Sequence, residues 1–184
     1  MAQFFDQITD EMKEFIEKQK MFFNASAPIE GGHVNVSPKG MDCFRIIGDN
    51  QVAYLDITGS GNETSAHLRQ NGRITIMFCA FDGKPKIIRL FGTGRVVVPT
   101  DEEWMGLSAA FDLSKPGIRQ IIMINVHKTQ TSCGMGVPFY AYEGDRSDLL
   151  DYWDKGGEEF VKKYQAKKNV KSMDGLDAYP LEDA

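Results

Sequence analysis

The sequence has 184 residues, of which 42% are hydrophobic and 11% aromatic, and 21 Lys and Arg against 26 Asp and Glu give a net charge of −5. So many aromatic residues exclude a disordered chain, and the length suits one domain, or one domain with a tail. The negative net charge gives no indication of a basic surface for nucleic acid, so any bound anion must be held by the local arrangement of a few residues.

Two absences in the sequence bear on its location and on metal binding. No apolar stretch approaches the roughly 20 residues that span a bilayer, and the N-terminus lacks the layout of a signal peptide. The three cysteines are widely spaced, which argues against a disulfide framework, and the three histidines lack metal-ligand spacing. We expect a cytoplasmic protein with reduced thiols and no metal site, bound to neither membrane nor nucleic acid.

Hydrophobic periodicity predicts a helix followed by six strands. From Phe4 to Lys20 the apolar residues recur at spacings of three, four and seven, as on an amphipathic helix. A second helix opens at Thr100, which has capping-box spacing to Glu103. The predicted strands occupy residues 21–27, 33–39, 51–57, 73–81, 86–98 and about 119–128. Their short connecting turns favour an antiparallel barrel over a doubly wound sheet.

The composition changes after Pro138. Residues 147–168 again have helical spacing, interrupted by Gly156-Gly157, and the last fifteen residues show no period. We therefore predict a barrel domain with an N-terminal helix over residues 1–140. A helical extension and arm over residues 141–184 follow, and the arm is expected to lie on another surface.

The segment Thr58–Glu63 (TGSGNE) follows one predicted strand and precedes a short helix. Ser60 and Glu63 have the spacing of a capping box, and Gly59 and Gly61 leave the backbone open to close approach. A helix N-terminus offers unsatisfied N–H groups and partial positive charge, which suit a phosphate. The alternative is an ordinary glycine turn with a helix cap. The P-loop and dinucleotide-binding patterns are absent.

A second candidate surface is the polar face of the strand at residues 33–39. Asn35, Ser37 and Lys39 alternate with apolar residues, so hydrogen-bond donors and one cation follow a single face. A solvated strand face is the alternative. The glycine-bearing loop at 131–136 contains Cys133, which we interpret as part of a tight turn rather than as a nucleophile, because no charge lies beside it.

The chain resembles the pyridoxamine 5'-phosphate oxidase-like family of FMN-binding split barrels over about residues 20–130. The residues that carry the resemblance read MFFNASAP, GGHVNVSPKG, VAYLDITGSGNETSAHLRQNGRITIMFCAF and KIIRLFGTGRVV. It implies a mainly β (α+β) fold, a six-stranded antiparallel split β-barrel with flanking helices. It also implies a homodimer with one flavin in each of two clefts at the subunit interface.

The resemblance also implies which residues hold the FMN phosphate and ribityl chain. By position these are Asn35, Ser37, Lys39, Thr58, Gly59, Ser60 and Asn62. The oxidase proper carries Ser-Arg-Lys where this chain has Glu63-Thr64-Ser65, so two phosphate-clamping cations are missing. Its substrate-contacting Arg and His have no clear match in residues 171–184, so oxidation of pyridoxamine phosphate is not inferred.

A flavin also needs an apolar slot for its ring and a donor near N1 and the C2 carbonyl. Phe44, Phe78, Phe91 and Met135 are candidates for the slot. Arg89, which shares a strand face with Phe91, is the candidate donor.

Together with these patterns, the resemblance implies an FMN-binding flavoprotein, an oxidoreductase that uses a reduced nicotinamide and an unknown small acceptor. One alternative is a non-catalytic flavin- or haem-binding stress or sensor protein, because no acid, base or nucleophile is identifiable beside the TGSGNE loop. Another is a deazaflavin-dependent reductase. FMN is the expected cofactor, with deazaflavin, FAD and haem as alternatives.

Overall fold

The computed structural model describes residues 2–178, in which eight strands and four helices are found. The last part of the predicted arm, residues 179–184, lies outside the described residues. The elements run in the order β1 (Gln3–Phe5), α1 (Asp10–Lys18), β2 (Phe22–Ser26), β3 (Asn35–Lys39), β4 (Phe44–Gly48), β5 (Gln51–Ile57), α2 (Glu63–Asn71), β6 (Arg73–Cys79), β7 (Ile87–Val97), α3 (Trp104–Ser108), β8 (Ile118–Ser132) and α4 (Asp148–Lys168).

All the strands join one antiparallel sheet, in the order β3-β2-β6-β7-β8-β5-β4, with β1 added beside β8. In the part of the chain that the structure describes, no ladder joins β3 to β4 or β5, so the barrel stays open along one side. The predicted split barrel is therefore confirmed. The six predicted strands are β2, β3, β5, β6, β7 and β8, and β1 and β4 are additional.

The N-terminal region differs from the helix predicted over residues 4–20. The first residues form β1, which pairs with β8, and the helix begins only at Asp10. The Thr9 side chain caps it by accepting a hydrogen bond from the Met12 N–H (3.4 Å). The apolar spacing extended the predicted helix too far because pairing with β8 already satisfies the backbone of the first residues.

Three further boundaries differ from prediction. The additional strand β4 reads FRIIG, which does not alternate cleanly, and a turn at Asp49-Asn50 joins it to β5. The helix predicted to open at Thr100 is the short α3, whose N-cap is Glu103 without a side-chain cap. The last strand continues to Ser132, so Thr131 and Ser132 belong to β8 and not to a loop.

The barrel interior is filled by fully buried apolar side chains, with Tyr54, Ile76, Leu90 and Ile122 among them. Near Gly92 the backbones of β7 and β8 approach closely, and their register shifts there. A Cβ on Gly92 would lie 2.7 Å from the Asn125 carbonyl oxygen. The close packing of the two strands thus requires a glycine at this position.

Two helices lie against the loop that joins β5 to α2, and they position the site described below. The N-cap of α2 is Asn62, whose side chain makes no cap hydrogen bond, so the capping box predicted from Ser60 is wrong. The long α4 is broken at Gly157, which has φ 75°, and its Trp153 and Val161 pack on Ile57. None of the helices in residues 2–178 has the length and apolarity to cross a bilayer.

Candidate functional site

A cavity of about 210 Å³ lies between the inner face of β3 and the loop of residues 58–62. Its lining contains six of the residues predicted from the sequence: Asn35, Ser37, Lys39, Gly59, Ser60 and Asn62. The other lining residues are Asp56, Gly61, Glu63, Thr64 and Arg119. The two candidate surfaces, separate in sequence, therefore form opposite walls of one cavity.

The pleat of β3 explains why its polar residues reach this cavity. Asn35, Ser37 and Lys39 are half-buried on the inner face, whereas Val36 and Pro38 between them are exposed. The polar alternation therefore faces inward toward the cavity, and the solvated-face alternative is wrong.

The charged centre of the site is Asp56, which is only 3% exposed. One carboxylate oxygen lies 2.6 Å from Lys39 Nζ, and the other lies 2.6 Å from Arg119 Nη2 and 2.8 Å from Gln120 Nε2. Burial alone would raise the pKa of this carboxyl, but Arg119 and Lys39 hold it well below its ordinary value. Asp56 therefore stays ionised and fixes both cations.

Polar side chains form an ordered wall beside the charged centre. Ser37 Oγ donates to Asn35 Oδ1 (3.1 Å), and Asn35 Nδ2 donates to Thr64 Oγ1 (3.1 Å). Behind them, Asn24 Nδ2 donates to both Thr64 Oγ1 (3.0 Å) and the buried Tyr54 hydroxyl (2.6 Å). These bonds connect β3 to the first turn of α2, so the wall has a defined geometry before any ligand binds.

The side chains of two predicted site residues are engaged within the protein. Thr58 is fully buried behind the loop, where its Oγ1 accepts a hydrogen bond from Gln165 Nε2 (2.7 Å), and it does not line the cavity. Asn62 Oδ1 accepts from Gln120 Nε2 (2.9 Å), so this amide is already engaged inside the protein. Both side chains therefore hold the loop in place.

Arg89 lies elsewhere, on the half-buried outer face of β7, with Nη1 3.4 Å from Ser132 Oγ. It is not among the residues that line the cavity. The predicted ring slot also changes, because Phe44 and Phe78 pack edge-to-face in the barrel core with centroids 5.0 Å apart. Phe91 remains available on the outer face, and Met135 is exposed.

Sequence reasoning missed Asp56 and Arg119 as site residues. Each is a charged residue in a mostly apolar segment of a predicted strand, YLDI and IRQII. A buried charge is almost always paired, so two opposite charges in such segments were a usable signal of a shared site.

One buried histidine, His67, has a structural role outside the cavity. His67 on α2 is fully buried, and its Nδ1 lies 2.9 Å from Ser26 Oγ on β2. Burial lowers the pKa of this imidazole. A neutral histidine bonded to a strand hydroxyl connects α2 to the sheet and lies outside the cavity lining.

Comparisons with known proteins agree with this architecture. The sequence model of the pyridoxamine 5'-phosphate oxidase family matches residues 8–133, more than half of the chain. A curated relative, the pyridoxamine 5'-phosphate oxidase family protein ustO of Aspergillus flavus, is 38% identical over 194 residues, covering 96% of this chain and 77% of the relative.

Two solved structures share the fold at low identity. HupZ of group A Streptococcus has a TM-score of 0.54 and 22% identity, over 68% of this chain and 99% of that chain. A Lactobacillus delbrueckii protein, named as a candidate pyridoxamine 5'-phosphate oxidase, has a TM-score of 0.53 and 15% identity, over 68% of this chain and 94% of that chain. With the family match and the close fungal relative, the chain belongs to the pyridoxamine 5'-phosphate oxidase family.

Proposed function

We propose that this protein binds FMN and is an oxidoreductase that transfers hydride or electrons between a reduced nicotinamide and a small acceptor. The observation that carries the proposal is the cavity where Lys39 and Arg119 flank loop 58–62. Lys39 and Arg119 share the Asp56 carboxylate, so these three side chains together carry a net positive charge that favours an anion, and a second carboxylate, Glu63, also lines the cavity.

The loop fits a phosphate through its backbone as well. In residues 2–178, no acceptor is found for the N–H groups of Gly59, Ser60 or Asn62, and the partial positive end of α2 adds to them. Glu63 is turned toward the C-terminal segment, where its carboxylate accepts from the Met173 N–H (3.1 Å). Arg119 from β8 thus stands in for the cations missing at the start of α2.

The polar wall suits the hydroxyl-bearing chain between the phosphate and ring of FMN. Asn35, Ser37 and Thr64 present amide and hydroxyl groups along one side of the cavity. The volume of about 210 Å³ is smaller than the roughly 300–1,000 Å³ typical of complete small-molecule sites. The cavity therefore accommodates the phosphate and chain, and the ring must lie beyond it.

A second copy of the chain would provide that further surface. On the outer face of β3, β2, β6 and β7, apolar side chains lie beside Arg73, Arg89 and Arg95, and Val34 and Val36 at its edge are 71% and 60% exposed. Exposed apolar side chains bordered by polar ones are typical of protein–protein interfaces. We therefore include a homodimer in the proposal, with Phe91 and Arg89 on the contacting face.

When bound, FMN supplies the capacity to accept and release hydride or single electrons. The residues of this chain would bind and orient it: Lys39, Arg119 and the loop amides at the phosphate, and the β3 side chains along the ribityl chain. Arg89 on the interface face is the donor proposed for the negative charge of the reduced ring.

The test is the visible spectrum of the purified protein, before and after addition of FMN, FAD, deazaflavin or haem. We expect flavin absorption bands, tightest binding for FMN, and oxidation of NADH or NADPH by the loaded protein. A protein that binds neither FMN nor FAD would contradict the proposal. A Soret band would identify haem, and stronger binding of deazaflavin would identify that cofactor.

A non-catalytic carrier or sensor is the second candidate. The titratable residues that line the cavity, Lys39, Asp56, Glu63 and Arg119, are all engaged in ion pairs or hydrogen bonds, so none is free as an acid or base. If the FMN-loaded protein oxidises neither NADH nor NADPH with any acceptor dye, the proposal of an oxidoreductase fails and this candidate replaces it. The proposal of flavin binding is then unaffected.

A further inference from the structure

The C-terminal segment, defined here as residues 148–178, lies directly behind loop 58–62. It comprises α4 and the following tail, and it falls outside the 8–133 range of the family match. The fungal relative covers 96% of the chain, so its match extends into this segment. The contacts between segment and loop are polar and specific, which gives the segment a role beyond covering the barrel.

Three carbonyl groups of the loop are held by protein side chains. Trp153 Nε1 donates to the Thr58 oxygen (2.9 Å), Asn169 Nδ2 to the Gly59 oxygen (3.1 Å) and Arg119 Nη1 to the Gly61 oxygen (3.1 Å). Two of the three donors belong to the C-terminal segment.

These contacts fix the direction of the loop's N–H groups. The described peptide bonds are all trans, so the carbonyl and the N–H of each peptide group lie in one plane and point in opposite directions. Holding the carbonyls of residues 58, 59 and 61 therefore directs the N–H groups of Gly59, Ser60 and Asn62 away from those donors. None of these three N–H groups has an acceptor in residues 2–178, and neither has that of Gly61.

Asn169 has the central position in this arrangement and is only 1% exposed. While its Nδ2 binds the Gly59 carbonyl, its Oδ1 accepts a hydrogen bond from Arg119 Nη1 (2.7 Å). Its own backbone oxygen accepts from Asn62 Nδ2 (3.3 Å). One buried amide thus holds both a loop peptide and the guanidinium that lines the cavity.

We propose that Asn169 is a positioning residue for a phosphate monoester at loop 58–62, which makes the C-terminal segment a working part of the site. This inference rests on the proposed function. Asn169 acts on the phosphate through the Gly59–Ser60 peptide and Arg119 and does not touch the ligand. Removing its amide frees that peptide to rotate and releases one restraint on the guanidinium.

The test compares two ligands that differ only in the phosphate, FMN and riboflavin. Dissociation constants are measured by flavin fluorescence for the wild type, Asn169→Ala and Asn169→Asp, with Lys163→Ala on the exposed side of α4 as the control. We expect Asn169→Ala to weaken FMN about tenfold, the equivalent of one well-made hydrogen bond, and to leave riboflavin within about twofold.

Asn169→Asp separates hydrogen bonding from packing. The side chain keeps nearly the same volume and its acceptor for Arg119, but it loses the donor to Gly59 and adds a negative charge near the phosphate. It should weaken FMN at least as much as the alanine variant does. Equal weakening of both flavins would indicate general loosening and would overturn the proposal, as would unchanged FMN affinity.

A second measurement needs no cofactor. NMR order parameters of the amide groups of residues 59–62 in the unliganded protein should fall in Asn169→Ala and not in Lys163→Ala. If these order parameters are unchanged, the positioning role fails even when FMN binding stands. If instead the wild type does not prefer FMN to riboflavin, the phosphate site fails, and the proposed function with it.

Discussion

Lys39 Nζ and Asp56 Oδ1 are 2.6 Å apart, although β3 is the first strand and β5 the second to last in the order of the sheet. No described ladder connects these strands, so the ion pair bridges the open side of the split barrel. The same two residues line the cavity between β3 and loop 58–62. The proposed phosphate site therefore lies at the opening in the sheet, where an ion pair and not backbone hydrogen bonding connects the two strands.

Lys39→Met should weaken FMN binding without unfolding the protein. The change removes the more accessible of the two cations, while Arg119 still neutralises Asp56. We expect FMN affinity to fall by a factor of about 10–100, because a charged hydrogen bond contributes about 1.5–3 kcal/mol. Fluorescence titration measures the loss. Lys163→Met, an equivalent change on exposed α4, should have no effect, and equal affinity for both variants would place the phosphate elsewhere.

Asp56→Asn should destabilise the fold, and its effect should depend on pH. Removing one partner of a buried ion pair costs about 3–5 kcal/mol, because the remaining cations lose their counter-charge. The pKa of Asp56 is held below its ordinary value in the folded protein. Its stabilising contribution is therefore fully present above the unfolded-state pKa of about 4 and declines as the pH falls below that value.

Urea unfolding of the wild type and Asp56→Asn between about pH 7 and pH 3 measures this difference. The gap in unfolding free energy should be constant down to about pH 5 and narrow at lower pH. A gap that widens toward acid pH would show that the folded carboxyl is not the ionised partner of Arg119 and Lys39.

Local rules were enough to predict most of the barrel and both walls of the cavity. Two short-range signals were sufficient for the cavity: the alternation in Asn35, Ser37 and Lys39, and the glycines of the TGSGNE segment. The structure places both sets of residues in the cavity lining. The order of these elements then carried the family resemblance.

The orientation of some side chains could not be predicted, because it depends on contacts with residues that are distant in the sequence. Asn62 was expected to point at a ligand, but Gln120 and Asn169 engage its amide from elsewhere in the chain. Likewise Phe44 has ordinary aromatic chemistry, and only the folded barrel places it against Phe22 and Phe78 in the core. No single-segment pattern contains that information.

Gly59→Ala should impair the site and spare the fold. A Cβ built on Gly59 meets no atom within 4 Å, and its φ is not in the left-handed region, so the backbone tolerates a side chain. The methyl group would lie in a wall of the cavity and crowd a bound phosphate. We expect about a fivefold loss of FMN affinity, somewhat less than one full hydrogen bond, with an unchanged melting temperature.

Gly106→Ala is the matched control for this substitution. Gly106 also has open space at its Cβ, but it lies in α3 and does not line the cavity. It should leave FMN affinity unchanged, and a better helix former should leave the protein as stable or slightly more so. Similar affinity losses at both glycines would mean that the measurement reports stability rather than the site.

Val36→Arg should separate the two copies of the proposed homodimer. Val36 is 60% exposed on the edge strand β3, and its register neighbours across the sheet, Ala25, Thr75 and Phe91, continue the same outer face. A charge buried there would lack a partner in a symmetric interface, where it meets its own copy or apolar surface. Light scattering with chromatography should show a dimer for the wild type and a monomer for the variant.

The effect of Val36→Arg on flavin binding should come only from the loss of the partner. Because Asn35 and Ser37 face the other side of β3, the polar wall of the cavity stays intact. Flavin binding should weaken only through loss of the second surface for the ring, so riboflavin should lose at least as much affinity as FMN. A variant that remains dimeric would show that this face is not the interface.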